Sequence, residues 1–231
     1  MADQSLKEAT AKGLLWGGIS NGVQQIVGLF FGFFLARLLT PNDYGIIGML
    51  SIFTGIANGI QEGGFIAALT NRKNIQHADY NAVFWFNIVA GIFLYILLFF
   101  CAPLIAEFFN KEELIDVSRV LFLSFLFSSF GTAQAAYLFR NLKVEERAKI
   151  DIFSLIISNT VAAIMTLNHM AYWAIVIQIV LYFATGTLLR WHYSSWRPTF
   201  SFQITLLKEM LPFSSKLLAT NIFNQITINI F

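Results

Sequence analysis

Several side chains in the apolar stretches of this chain are ones that lipid contact does not explain. Asn21, Gln24 and Gln25 come early, Asn58 and Glu62 follow, and Asn221, Asn224 and Gln225 fall near the last residue. Ionisable groups at membrane depth cost about 2.5 to 3.5 kcal/mol each on insertion scales, so they face a protein interior or a wet cavity. Glu62 therefore has either a cavity or coupling role, or a place near the inner interface. Arg37 has two readings: a headgroup anchor, or a cationic rim group that meets an anionic substrate. Arg119 poses the same choice. Asp43 either pairs with Arg37 or caps the helix that it opens. Covalent chemistry has little to build on. His77, His169 and His192 lie on separate segments, and Cys101 is the sole cysteine, which leaves no cysteine-based metal site. No cofactor is expected.

The elements that carry these residues follow from composition. Of 231 residues, 57% are hydrophobic and only 12% charged, with a mean hydropathy of +0.65. Soluble domains carry about 25% charged residues, so a polytopic membrane protein is the class that fits. A net charge of +2 gives no reason to expect nucleic acid. Apolar runs predict helices near 13–36, 44–69, 82–106, 115–139, 149–168 and 171–190, with a seventh beginning near Leu211. Each is near the ~20 residues needed to cross a hydrocarbon core. The first run is too long for a signal h-region and is read as a retained span. The fold class is thus an all-α transmembrane bundle, a six-helix lobe over 1–209 with the start of a second lobe over 210–231.

Basic residues alternate between the predicted loops. Lys7, Lys12, Arg72, Lys73, Arg140, Lys143, Arg147, Lys149, Arg190, Arg197 and Lys208 fall on one side, and Arg37, Lys111 and Arg119 on the other. The positive-inside rule then places the N-terminus in the cytoplasm. Tryptophans and tyrosines at helix ends mark the same boundaries. A loosening of the second helix is expected at Gly63-Gly64.

The polar residues share faces. Gly17, Asn21, Gln24, Gln25, Gly28 and Gly32 fall within an arc of about 100° on the first helix, and Gly48, Ser51, Gly55, Asn58, Gly59 and Glu62 do so on the second. For the glycines and Ser51, close helix packing is the plain explanation. Asn87, Gln134, Asn159 and Gln178 are isolated amides for which interhelical hydrogen bonds suffice. The seventh segment is polar around more than half its circumference, as if set against a partner or water.

In family order, Ala36-Arg37-Leu38-Leu39-Thr40-Pro41-Asn42-Asp43-Tyr44-Gly45, Gly64-Phe65-Ile66-Ala67-Ala68-Leu69 with Arg72-Lys73, Val83-Phe84-Trp85-Phe86-Asn87, Tyr172-Trp173-Ala174-Ile175-Val176-Ile177-Gln178 and Trp196-Arg197-Pro198 run along the chain. Together they resemble the Wzx-like polysaccharide flippases of the multidrug/oligosaccharidyl-lipid/polysaccharide exporter superfamily. Glu62-Gly63-Gly64 departs from an Asp-x-Gly arrangement common in that family. Members of the family have about twice as many helices, so this chain resembles a first lobe plus the start of a second.

The resemblance implies alternating access of two lobes. It also implies a polyprenyl-pyrophosphate-linked oligosaccharide as cargo, moved to the outer leaflet of a bacterial inner membrane for surface polysaccharide synthesis. Cationic side chains would suit the pyrophosphate, and amides such as Asn21 and Gln25 the sugar hydroxyls. Membrane lipids, a C-terminal lobe and a coupling proton or sodium ion are the other implied partners.

Three alternatives remain. A cation-coupled drug exporter would be expected to place acidic residues deep in this lobe, where only Glu62 and Asp151 come near. A glycan-assembly enzyme would need an acidic or histidine cluster on a large loop, and the loops are short. The chain could also be an inactive truncated product.

Overall fold

The computed structural model describes residues 2–62, 69, 75–200, 206 and 220, with the backbone alone over helical residues 2–12, 52 and 56–62. The described residues form α1 (Ala2–Leu38), α2 (Pro41–Glu62), α3 (His77–Phe109), α4 (Leu114–Leu121), α5 (Leu123–Ser129), α6 (Thr132–Arg140), α7 (Val144–Leu167) and α8 (Tyr172–Tyr193). The protein is an all-α, multi-pass membrane bundle. Helices α1, α3, α7 and α8 are long and apolar enough to span a bilayer, and α4–α6, taken together across their bend, meet the same length and composition. Over its described residues α2 is not among them, since glycine and polar side chains dilute its apolar content. Gly63-Gly64, the expected loosening point, lies outside the described residues.

The turn between α1 and α2 is built from local chemistry. Leu39 N–H closes the last turn of α1 on the Leu35 carbonyl at 2.8 Å. Thr40 then caps α2. The Asp43 carboxylate accepts from the Thr40 amide at 2.8 Å and from its hydroxyl at 2.7 Å, with Pro41 at the first helical position. Of the two readings of Asp43, the structure shows the cap. It is buried in that role, while Arg37 is exposed.

Burial is divided between the two ends of α3. At one end Tyr80, Val83, Phe84 and Ile88 pack with Ala133 and Ala136 of α6 and with Trp196. At the other, Ile105 and Ala106 meet Ile46 and Leu50 of α2, Leu114, Val117 and Leu121 of α4, and Val176 of α8. Around 25 residues at 1.5 Å separate these clusters, about the thickness of a bilayer. Up-and-down topology places Arg140, Lys143, Arg147, Arg190 and Arg197 at the first end, and Arg37 and Lys111 at the second. The basic asymmetry of the sequence is therefore an asymmetry of the molecule.

Two sequence expectations are corrected. Helix α3 begins at His77, five residues before the predicted start, because Gln76 and Asp79 form a capping box. The single helix expected over 115–139 is three, with a 44° bend between Leu114–Ser129 and Thr132–Arg140. Ser118, Ser124, Ser129 and Thr132 all turn their hydroxyls back onto carbonyls three or four residues earlier, which bends helices, and Gly131 stands at the corner. Residues 194–200 fold back on α3. Trp85 donates to the Thr199 carbonyl at 2.9 Å, Thr199 N–H donates to Asn81 at 2.8 Å, and Trp196 is buried among aromatic rings.

Candidate functional site

Helix α1 has three faces. Trp16, Ser20, Val23, Val27, Phe31, Phe34 and Leu35 recur at helical spacing and are the better-covered side chains; α1 packs on α7. Leu15, Ile26, Leu29, Phe30 and Phe33, all well exposed, form a greasy face on the far side. Between them runs a strip of Asn21, Gln25, Gly28 and Gly32, also exposed. The apolar face suits lipid, whereas an open row of amides does not.

The strip is open in a second sense. A Cβ added at Gly17, Gly18, Gly22, Gly28 or Gly32 would meet no atom within 4 Å. Close packing against the described residues, the plain explanation offered for the stripe, is therefore not what these glycines serve. In a helix each costs about 1 kcal/mol relative to alanine. Gly45 and Gly48 of α2 are equally open, and Gly48 lies opposite the buried Ile46 and Leu50. Ser51 uses its hydroxyl on the Gly48 carbonyl at 2.7 Å.

The two helices part after their turn. Leu35 and Leu39 share an apolar cluster with Ile47, Ile175 and Ile179 at the tip. Beyond it α1 follows α7, while α2 packs on α3, α5 and α8. Beyond the tip the two helices share few contacts among the described residues.

The residues proposed from sequence divide by this geometry. Asn21 and Gln25 lie on the open strip and make no hydrogen bond within the described residues. Gln24 does not join them: its amide donates to Ser20 at 2.9 Å, on the side packed against α7. Arg37 stands exposed at the tip, where Lys111 reaches across to Asn42 at 3.1 Å. Arg119 lies apart from the open strip, its guanidinium 4.3 Å above the Phe99 ring and its Nε buried without a partner. Asn58 and Glu62 are in the last turns of α2, where the backbone alone is described. Asn221, Asn224 and Gln225 lie outside the described residues.

Of the isolated amides, Gln178 donates to Asn159 at 2.8 Å across α8 and α7, an interhelical bond as expected. Asn87 instead donates to its own helix at Val83. Gln134 departs furthest. It is fully buried on α6, and neither its side-chain oxygen nor its side-chain nitrogen has a hydrogen-bond partner among the described residues. Nothing in its sequence neighbourhood distinguishes it from an ordinary helix amide.

The family described as "Polysaccharide biosynthesis protein" matches residues 34–231. The chain belongs to the polysaccharide biosynthesis protein family. Its match includes the hairpin tip and all elements from α2 onward. Among curated relatives, the chain is 29% identical over 228 residues to the teichuronic acid biosynthesis protein TuaB of Bacillus subtilis (strain 168), covering 98% of this chain and 47% of that protein. It is 23% identical over 232 residues to the lipopolysaccharide biosynthesis protein WzxC of Escherichia coli (strain K12), covering 98% and 46%. An uncharacterized membrane protein in the cps region of Klebsiella pneumoniae is 24% identical over 150 residues, covering 65% and 31%. The likeness to WzxC agrees with the Wzx-like motifs. The chain thus spans about half the length of the two longest-matched relatives. No solved structure matches.

Proposed function

We propose that this chain is one lobe of a two-lobed flippase that carries a lipid-linked oligosaccharide across the membrane by alternating access. The observation that carries the reading is the strip of Asn21, Gln25, Gly28 and Gly32, open to the outside of the lobe although α1 is a membrane span. An amide offers two donors and an acceptor, and in lipid these would go unmet. Facing a second lobe across a wet cavity, they are hydrated and available to sugar hydroxyls. The glycines keep that wall smooth, so a bulky glycan can slide along the backbone.

The parting of α1 and α2 gives the wall its movement. The two helices are held together at the tip by Leu35, Leu39 and Ile47, while each is otherwise fastened to a different partner. Movement of α1 relative to α2 about that tip would widen or narrow the space between them. Arg37 at the tip supplies a fixed charge where a pyrophosphate would pass, bonded in-plane by its guanidinium. Glu62 is the carboxylate positioned in the chain to accept a coupling proton or sodium ion.

The test is genetic and chemical. Loss of the protein should make lipid-linked glycan accumulate on the inner leaflet, and re-expression should clear it. Re-expression of an Asn21→Leu/Gln25→Leu variant that reaches the membrane should leave the accumulation in place. Unchanged glycan export after loss, with drug resistance restored on re-expression, would overturn the proposal in favour of a drug exporter.

A further inference from the structure

A second polar site lies away from the strip, in a cavity of about 130 Å³ where α6, α7 and α8 meet. Arg147 and Asp151, one turn apart on α7, and Arg190, in the last turn of α8, line it together with Leu138, Phe139 and Ile150. Nearby charges are already consumed. Lys143 pairs with Glu146 at 2.9 Å and Lys149 with Glu145 at 2.8 Å, whereas no ion pair joins either arginine of the cavity to Asp151 among the described residues. Two positive groups and one negative therefore face a common space, with one positive charge in excess.

The surrounding residues keep that arrangement open. Gly131, at the bend before α6, is where a Cβ would lie 2.8 Å from the Thr187 hydroxyl and 3.3 Å from the Arg190 side chain. The missing side chain is what lets Arg190 lie across the bend. Arg147 is held with its guanidinium 4.7 Å from the Phe139 ring, which leaves the N–H edge free for acceptors in its plane. The cavity has room for about four water-sized groups at ~30 Å³ each, the bulk of a tetrahedral oxyanion.

We propose that Arg147, Asp151 and Arg190 form a phosphate site for the headgroup of an anionic membrane phospholipid. Basic pockets between transmembrane helices are suited to such headgroups. The single negative charge of a phosphodiester cancels the one in excess, and the acyl chains of a lipid distinguish its headgroup from inorganic phosphate. Apolar surface continues from the site, since Phe139 and Leu142 are 45% and 69% exposed, and gives acyl chains somewhere to lie. A lipid seated there would tie α6 to α7 and α8 at the charged end of the bundle.

The probe is phosphatidylglycerol added to the purified chain in detergent, with binding read by native mass spectrometry and by the shift in the thermal midpoint. Phosphatidylcholine and inorganic phosphate serve as the other arms. Phosphatidylglycerol should bind and raise the midpoint, and the other two should do neither. Arg147→Gln/Arg190→Gln should weaken binding by about 25-fold, at roughly fivefold per charge. Asp151→Asn should tighten it by about fivefold and keeps the proposal testable if the double variant fails to fold. Binding that is unchanged in the double variant, or not tightened by Asp151→Asn, would overturn the site. Equal binding of phosphatidylcholine, or displacement of the lipid by inorganic phosphate, would overturn the lipid as its occupant.

Discussion

Glycine has opposite meanings in two regions of this molecule. At the seam where α6 and α7 meet α8, glycines face other helices: a Cβ at Gly131 would lie 2.8 Å from the Thr187 hydroxyl, too close to fit, and one at Gly186 would lie in contact with Ser154 at 3.4 Å. On α1, Gly28 and Gly32 face nothing among the described residues. The seam shows glycine serving this lobe's own packing. On the open strip, glycine costs helix stability and packs on none of the described residues. A stripe of small residues in a membrane helix is thus not by itself evidence of packing; what lies opposite decides.

Substitutions can break or sharpen this contrast. The largest effect is expected from Gly131→Val, which crowds Thr187 and Arg190 and displaces the 2.7 Å hydrogen bond from Thr187 to the Phe127 carbonyl. Overpacking of this kind costs about 1–3 kcal/mol, visible as a lowered thermal midpoint in detergent. A wild-type midpoint would mean that the seam is looser than described.

Next comes Thr40→Ala at the tip between α1 and α2. It removes the hydroxyl partner of Asp43 and should cost about 1 kcal/mol, read in the same assay. If the tip is the pivot of the two helices, this variant should also slow glycan export more than its stability loss explains. Gln178→Leu breaks the Asn159 bond and should cost about 0.6 kcal/mol, the mean for interhelical hydrogen bonds in membranes. The smallest stability effect belongs to Gly28→Ala, expected between neutral and about 1 kcal/mol stabilising by helix propensity. That variant separates the two roles of glycine, since export should fall while the midpoint holds or rises.

Much of this arrangement was legible in the sequence. Span length fixed α1, α3, α7 and α8, and alternating basic residues sorted the ends correctly, because both depend on the bilayer and not on neighbours. The Thr40-Pro41-Asn42-Asp43 turn was legible as a turn, and its capping role was one of two open readings. Periodicity also found the α1 strip, but put Gln24 in it. Gln24 and Gln25 are about 100° apart, and only the position of α7 separates the packed amide from the open one. The bend at Gly131 and the return of residues 194–200 onto Trp85 and Asn81 were not legible, since both rest on contacts between distant segments. The Arg147–Asp151–Arg190 cavity was hidden for the same reason: it needs three helices to meet.

The central claim, that the Asn21/Gln25/Gly28/Gly32 face borders water and the Ile26/Phe30 face borders lipid, can be tested directly by cysteine labelling. In a Cys101→Ala background, Gln25→Cys, Gly28→Cys, Ile26→Cys and Phe30→Cys would each be expressed in the native membrane and exposed to a membrane-impermeant maleimide. The account predicts rapid labelling at 25 and 28, slowed by lipid-linked glycan, and little labelling at 26 and 30. Equal protection of all four positions, or labelling at 26 and 30 instead, would contradict it.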